Sequence, residues 1–158
     1  MTSEAMTRAA PDYDEIVRVV QLYPAGFNDR DAGKLREAFH EDAWMFFTRE
    51  DGILHTARIW DVVDLWAAGE PDDPPHRVTG RIISVTQAGD VASVLLGWDW
   101  YKGKDFSFVE FHTMLRIEGV WKITNKTATR TSRAGGLDSS AWPRSPGGDP
   151  GSWVTGRA

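Results

Sequence analysis

Cysteine is absent from the 158 residues, which removes disulfides, thiolate nucleophiles and thiolate metal sites together and points to a reducing compartment, read here as the cytoplasm. Basic runs are also missing. With a formal net charge of −5, the chain lacks the positive footprint that a phosphate backbone requires, so no nucleic acid is expected as a partner. No apolar window approaches the roughly 20 residues that span a bilayer, so no membrane is expected either. The opening MTSEAMTRAAPDYDE is polar and acidic where a secretory signal would be apolar. No two histidines stand at i, i+4, no HExxH occurs and the carboxylates lack calcium-loop spacing, so no metal site is expected. The serines lack a nucleophile-elbow context and the Gly pairs fall near the C-terminus, which leaves no phosphate-cradling loop.

What is present is the balance of a globular domain: 41% hydrophobic and 26% charged residues, enough for one core. Tryptophan stands out, with eight residues. A surplus of Trp suits a bulky core, a dimer face or an aromatic-walled pocket.

Composition divides the chain into a polar leader, residues 1–11, a domain over 12–131, and a Gly/Pro/Ser-rich tail, 132–158, that is read as disordered or partly docked through Trp142 or Trp153. Asp12 is a plausible N-cap for a first helix whose apolar stripe is Ile16, Val19, Val20, Tyr23 and Phe27. Pro24 lacks an N–H and crowds the preceding turn, which predicts a kink or break there. Asp31 caps a short second helix, Lys34 to Phe39. AWMFFT and ILHTA then read as a hairpin, ARIWDVVDLWAA as a third helix and EPDDPPH as a loop. Four β-rich segments follow, at 77–87, 91–101, 105–118 and 121–130, separated by short Gly-containing turns. Strands this long and aromatic are expected to curl round the helices.

Alternation assigns faces to these strands. In the last one, Trp121, Ile123, Asn125 and Thr127 share a face opposite Lys122, Thr124 and Lys126, and the Trp and Ile mark it as inward. A symmetric turn at Lys102-Gly103 places Trp98 with Val109, Phe111, Thr113, Leu115 and Ile117, again an apolar and therefore inward set. Asp99, Phe108, Glu110, His112 and Met114 then face outward. One bulge would exchange these faces and bring Asp99 or Glu110 inside, which makes both acid/base candidates.

The segments DYDEIVRVVQLY, FNDRDAGKLREAFHEDAWM, RIISVTQAGDVASVLL and MLRIEGVWKITNK, spanning about residues 12 to 130, resemble the nuclear transport factor 2-like superfamily, in its SnoaL-like and lumazine-binding branch. The resemblance implies an α+β, cystatin-like fold: a cone-shaped roll of strongly curved antiparallel sheet packed on three helices, with a pocket at one end. It also implies a hydrophobic small molecule as ligand and a homodimer formed through the outer sheet face. Tyr23 aligns with the oxyanion Tyr of the superfamily's steroid isomerases, but Phe47 stands where their carboxylate base would be and Thr113 where their protonated Asp would be. Steroid isomerisation is therefore not expected. Several members place a pocket His at the cone's mouth, which His76 would match, and its titration range suits proton transfer.

The expectation is a cofactor-free lyase, isomerase or cyclase acting on a hydrophobic oxygenated molecule. His76, Asp99 and Tyr23 would be its catalytic groups, and Asn125, Thr113, Phe47, Trp98, Phe111 and Thr127 would line the pocket. The alternative is a non-catalytic binding or assembly module of the same fold.

Overall fold

A computed structural model describes residues 10–48, 52–71, 77–100 and 106–132. The leader, the turn at 49–51, the proline loop with His76, the turn at Lys102-Gly103 and the tail with Trp142 and Trp153 lie outside the described residues. The elements are α1 (Tyr13–Asp29), α2 (Ala32–Ala38), β1 (Phe39–Thr48), β2 (Leu54–Arg58), α3 (Ile59–Ala68), β3 (Val78–Ala88), β4 (Val91–Trp100), β5 (Phe106–Ile117) and β6 (Val120–Ser132).

The strands form a six-stranded sheet in the order β2-β1-β6-β5-β4-β3. Hairpin neighbours are antiparallel, but β1 lies parallel to β6, so the sheet is mixed where an all-antiparallel one was expected. The parallel pair arises because the long excursion from β2 to β5 acts as a crossover before β6 returns beside β1. The result is an α+β fold with three helices among the described residues.

Helix α1 lays its predicted stripe on the sheet, with Ile16, Val19 and Val20 almost wholly buried. It continues through Pro24 rather than breaking there. Tertiary contacts hold the turn in place: the Pro24 ring packs so closely on Gly80 of β3 that a Cβ there would come within 2.6 Å of the proline Cγ. One turn later, the Asn28 amide exchanges two hydrogen bonds of 2.8 Å with the backbone of Val78. The helix stops at Arg30, in the left-handed region at φ 50°.

Asp31 caps α2 as anticipated, accepting from the Lys34 N–H. Asp12 does not cap α1 with its side chain. Its carboxylate instead accepts from Arg116 at 2.6 Å and from the Trp121 indole at 3.1 Å, tying the start of the helix to the far end of β5 and β6. His40 lies inside β1, where its Nδ1 accepts from the Asp42 N–H.

Candidate functional site

The concave face of the sheet differs from the predicted one because of two local features of strand pairing. In the β4–β5 hairpin, Trp98 pairs with Phe108, Leu96 with Glu110, Val94 with His112 and Ala92 with Met114. All eight side chains are buried. The turn is therefore not symmetric in the way assumed, and the even-numbered residues of β5 point inward.

In β6, Ile123 pairs with Met114 but Asn125 pairs with Thr113, which leaves Thr124 as an extra residue. This bulge switches the strand from odd to even inward positions: Trp121 and Ile123 are buried before it, Lys126 and Ala128 after it. The Thr124 hydroxyl donates to the Thr113 carbonyl at 3.1 Å across the bulge.

Four of the predicted pocket residues consequently face away from the interior. Phe111 is 54% exposed, Thr113 and Thr127 are exposed, and Asn125 is half-buried with its Oδ1 accepting from the Thr127 hydroxyl. Asp99 also sits on the outer side, bonded to Arg81 Nε at 3.0 Å. His76 lies outside the described residues. Trp98, Phe47 and Tyr23 are where the sequence placed them, on the inner surface: Trp98 and Phe47 are 3% and 5% exposed.

Tyr23 is the centre of the arrangement. Its ring stacks on Trp98 with centroids 4.4 Å apart, meets the Phe39 ring edge-on at 5.2 Å and tilts against His112 at 5.6 Å. Phe27, one turn further along α1, closes the other side of Trp98 and stacks on Trp66 of α3. Phe47 stacks on His55 of β2. Tyr23 and Phe27 are partly buried, packed against the aromatic core.

Behind Tyr23 stands a chain of polar groups from β6 and β5. Lys126 Nζ donates to Tyr23 Oη at 2.7 Å and lies 3.3 Å from Glu110 Oε1. The other Glu110 oxygen, Oε2, is 2.9 Å from His112 Nε2. Because an ionised Glu110 can only accept, His112 Nε2 carries the proton in the neutral ring and Nδ1 is left as an acceptor. That Nδ1 is buried and finds no hydrogen-bond partner among the described residues; the same holds for His55 Nε2.

The electrostatics follow from desolvation opposed by pairing. Burial works against the Glu110 charge, but the Lys126 ammonium and the His112 hydrogen bond outweigh it, and the carboxyl is held below its ordinary range. Burial likewise works against the Lys126 charge, and Glu110 together with Tyr23 overrides it, so the ammonium is held above its ordinary range. Burial, and then the Glu110 charge, push the Tyr23 phenol up despite Lys126. Tyr23 is thus a neutral hydroxyl whose oxygen already accepts from an ammonium, and its own proton is free to be donated.

Sequence reasoning missed Lys126 and ranked His112 as outward. Neither carries a signal of its own, since a lysine in an alternating strand ordinarily marks the solvent face. Elsewhere, Arg36, Glu41, Asp42, Arg58 and Trp60 line an open surface groove of about 440 Å³. There the guanidiniums are engaged by Asp64 and Asp42.

The sequence profile of the family described as "Putative lumazine-binding" matches residues 11–128. The chain belongs to that family. Among solved structures it is similar to an NTF2-like protein of unknown function from Shewanella baltica, at 27% identity and a TM-score of 0.62, covering 77% of this chain and 94% of that one. An NTF2-like protein of unknown function from Methylobacillus flagellatus is similar at 26% identity and a TM-score of 0.60, covering 75% and 90%. A Nostoc punctiforme protein described as having a cystatin-like fold shares that fold at a TM-score of 0.53, with 16% identity over 75% of this chain and 90% of that one. No curated protein matches the chain. No helix among the described residues is long and apolar enough to cross a membrane.

Proposed function

We propose that the chain binds a hydrophobic, oxygenated small molecule on the concave side of its sheet and acts on it, with no resident cofactor, as a lyase-, isomerase- or cyclase-like enzyme. The observation that carries this reading is the 2.7 Å bond from Lys126 Nζ to Tyr23 Oη. It directs the hydroxyl hydrogen of Tyr23 away from the ammonium, and Tyr23, packed between Trp98 and Phe39, is partly buried where Lys126, Glu110 and His112 are buried. A donor backed by a positive charge in an aromatic surround is suited to a ligand oxygen on which negative charge develops. His76 is proposed as the proton carrier. Asp99, bonded to Arg81 on the outer side, is not. Phe47 at the penultimate position of β1 supplies no base, which argues against steroid isomerisation.

The aromatic surround would also accept a planar heterocycle such as the lumazine that the family's description names. Native mass spectrometry of protein from its own host, followed by titration with lumazine and with aromatic ketones, tests the reading. A retained small molecule is expected, with Tyr23→Phe weakening its binding by about tenfold through loss of one hydrogen bond. Absence of any retained or added ligand would overturn it.

The outer face supports a homodimer. Phe46, Thr127, Phe111 and Leu95 form one row across four strands, and Trp44, Asn125, Thr113 and Ser93 the next. Neither row contains an ionisable group, although 26% of the chain is charged. Depletion of charge around exposed aromatics is the composition of an interface core, and a neutral face can meet its own copy without like-charge repulsion.

A further inference from the structure

We propose that the buried Lys126–Glu110 pair decides which ligands the interior accepts: by cancelling the ammonium beside Tyr23, Glu110 makes the site take an uncharged molecule with an acceptor oxygen and reject its carboxylate analogue. The inference rests on the pocket reading above and adds the ligand's charge to it. Lys126 and Glu110 are 9% and 2% exposed and, with His112, make up the buried polar and charged side chains among the described residues. Glu110 touches Lys126 through one oxygen and His112 through the other, so the carboxylate is held between them and cannot swing away.

A ligand oxygen approaching Tyr23 meets a hydroxyl hydrogen, with an ammonium 2.7 Å behind the phenol oxygen. An aromatic ketone or ester satisfies that donor without bringing a charge. A carboxylate would bring one, and would meet the field of Lys126 already offset by Glu110, so its own desolvation would go uncompensated. The surrounding rings of Trp98, Phe39 and Phe27 offer no further charge to replace water. Glu110 thus acts through Lys126 as a specificity-determining residue rather than as a catalytic one.

The test uses a matched pair of probes, 2-acetylnaphthalene and 2-naphthoate, titrated into the full-length protein near neutral pH by ligand-observed NMR. The wild type is expected to prefer the ketone by at least about tenfold, and Tyr23→Phe to weaken the ketone. Glu110→Gln, whose amide oxygen keeps an acceptor for Lys126 while its NH2 donates to the other neutral tautomer of His112, removes the charge and is expected to reverse the preference toward the naphthoate. Should that variant not fold, as judged by circular dichroism, Lys126→Gln provides the opposite arm: with Glu110 unopposed, the preference for the ketone widens. A wild type that takes the naphthoate as tightly as the ketone, or a ratio that does not move in the folded variants, overturns the inference while leaving the pocket reading intact. If neither probe binds any of the proteins, the pocket reading fails and the inference fails with it.

Discussion

The two faces of β5 invert the usual assignment of polarity. Glu110 and His112 point into the sheet's concave side and are 2% and 0% exposed, whereas Phe111, between them in sequence, is 54% exposed on the convex side. An ion and an imidazole are sealed while an aromatic ring meets solvent. The difference teaches that burial on this strand is decided by partners on neighbouring elements rather than by hydropathy. Glu110 is tolerable inside because Lys126 of β6 and His112 occupy both its oxygens. Phe111 lies outside, paired with Leu95 and Thr127 on the neutral face proposed above as a homodimer interface.

Breaking the inner face should have the largest effect. Lys126→Met strands the Glu110 carboxylate and is expected to cost about 3–5 kcal/mol in urea unfolding, while the double variant with Glu110→Gln recovers much of that loss because no buried charge remains. If the double variant is as unstable as the two single losses summed, the pair is not coupled. The same pair sets a pH window. Glu110 is held below its ordinary value of 4.5, so its contribution is present above that value and is lost as pH falls through the native one. Lys126 is held above its ordinary 10.5, so its contribution is complete below that value and is lost as pH rises through the native one. Unfolding free energies across acid and alkaline series should flatten at both ends in the double variant.

The outer face is probed by Phe111→Glu. Its fold should survive, since the residue is exposed, but light scattering should report the single-chain mass of 17.7 kDa where the wild type gives twice that. A wild type that already scatters as one chain removes the dimer. The smallest effect is expected at Asp99→Asn, which dissolves a surface pair with a half-exposed arginine: stability should change by less than about 1 kcal/mol, and ligand binding should be unaltered. A large loss of activity in this variant would return Asp99 to the candidate site.

Much of the molecule was legible from its residues alone. The alternating periods and turn residues produced the element order, the resemblance of four segments implied the family and with it the α+β class, and the apolar stripe of α1 placed Tyr23 and Phe27 against the sheet. Trp98 was read as inward from the apolar face of its strand and Phe47 from the family alignment, and both are buried. The helix does not break at Pro24, because helix propensity is local whereas the groove at Gly80 that receives the ring is contributed by a strand more than fifty residues away.

Alternation with a period of two determines which residues of a strand share a face, and this much the sequence settled by itself for β5 and for each half of β6. It carries no information on which of the two faces turns inward. That choice fell to the pairing of Trp98 with Phe108 and to the extra residue at Thr124, each a matter of how one strand registers on the next. A shift of a single residue exchanged Phe111, Thr113, Asn125 and Thr127 for Glu110, His112 and Lys126, and only the assembled sheet brings a lysine, a glutamate and a tyrosine from three separate elements within hydrogen-bonding reach.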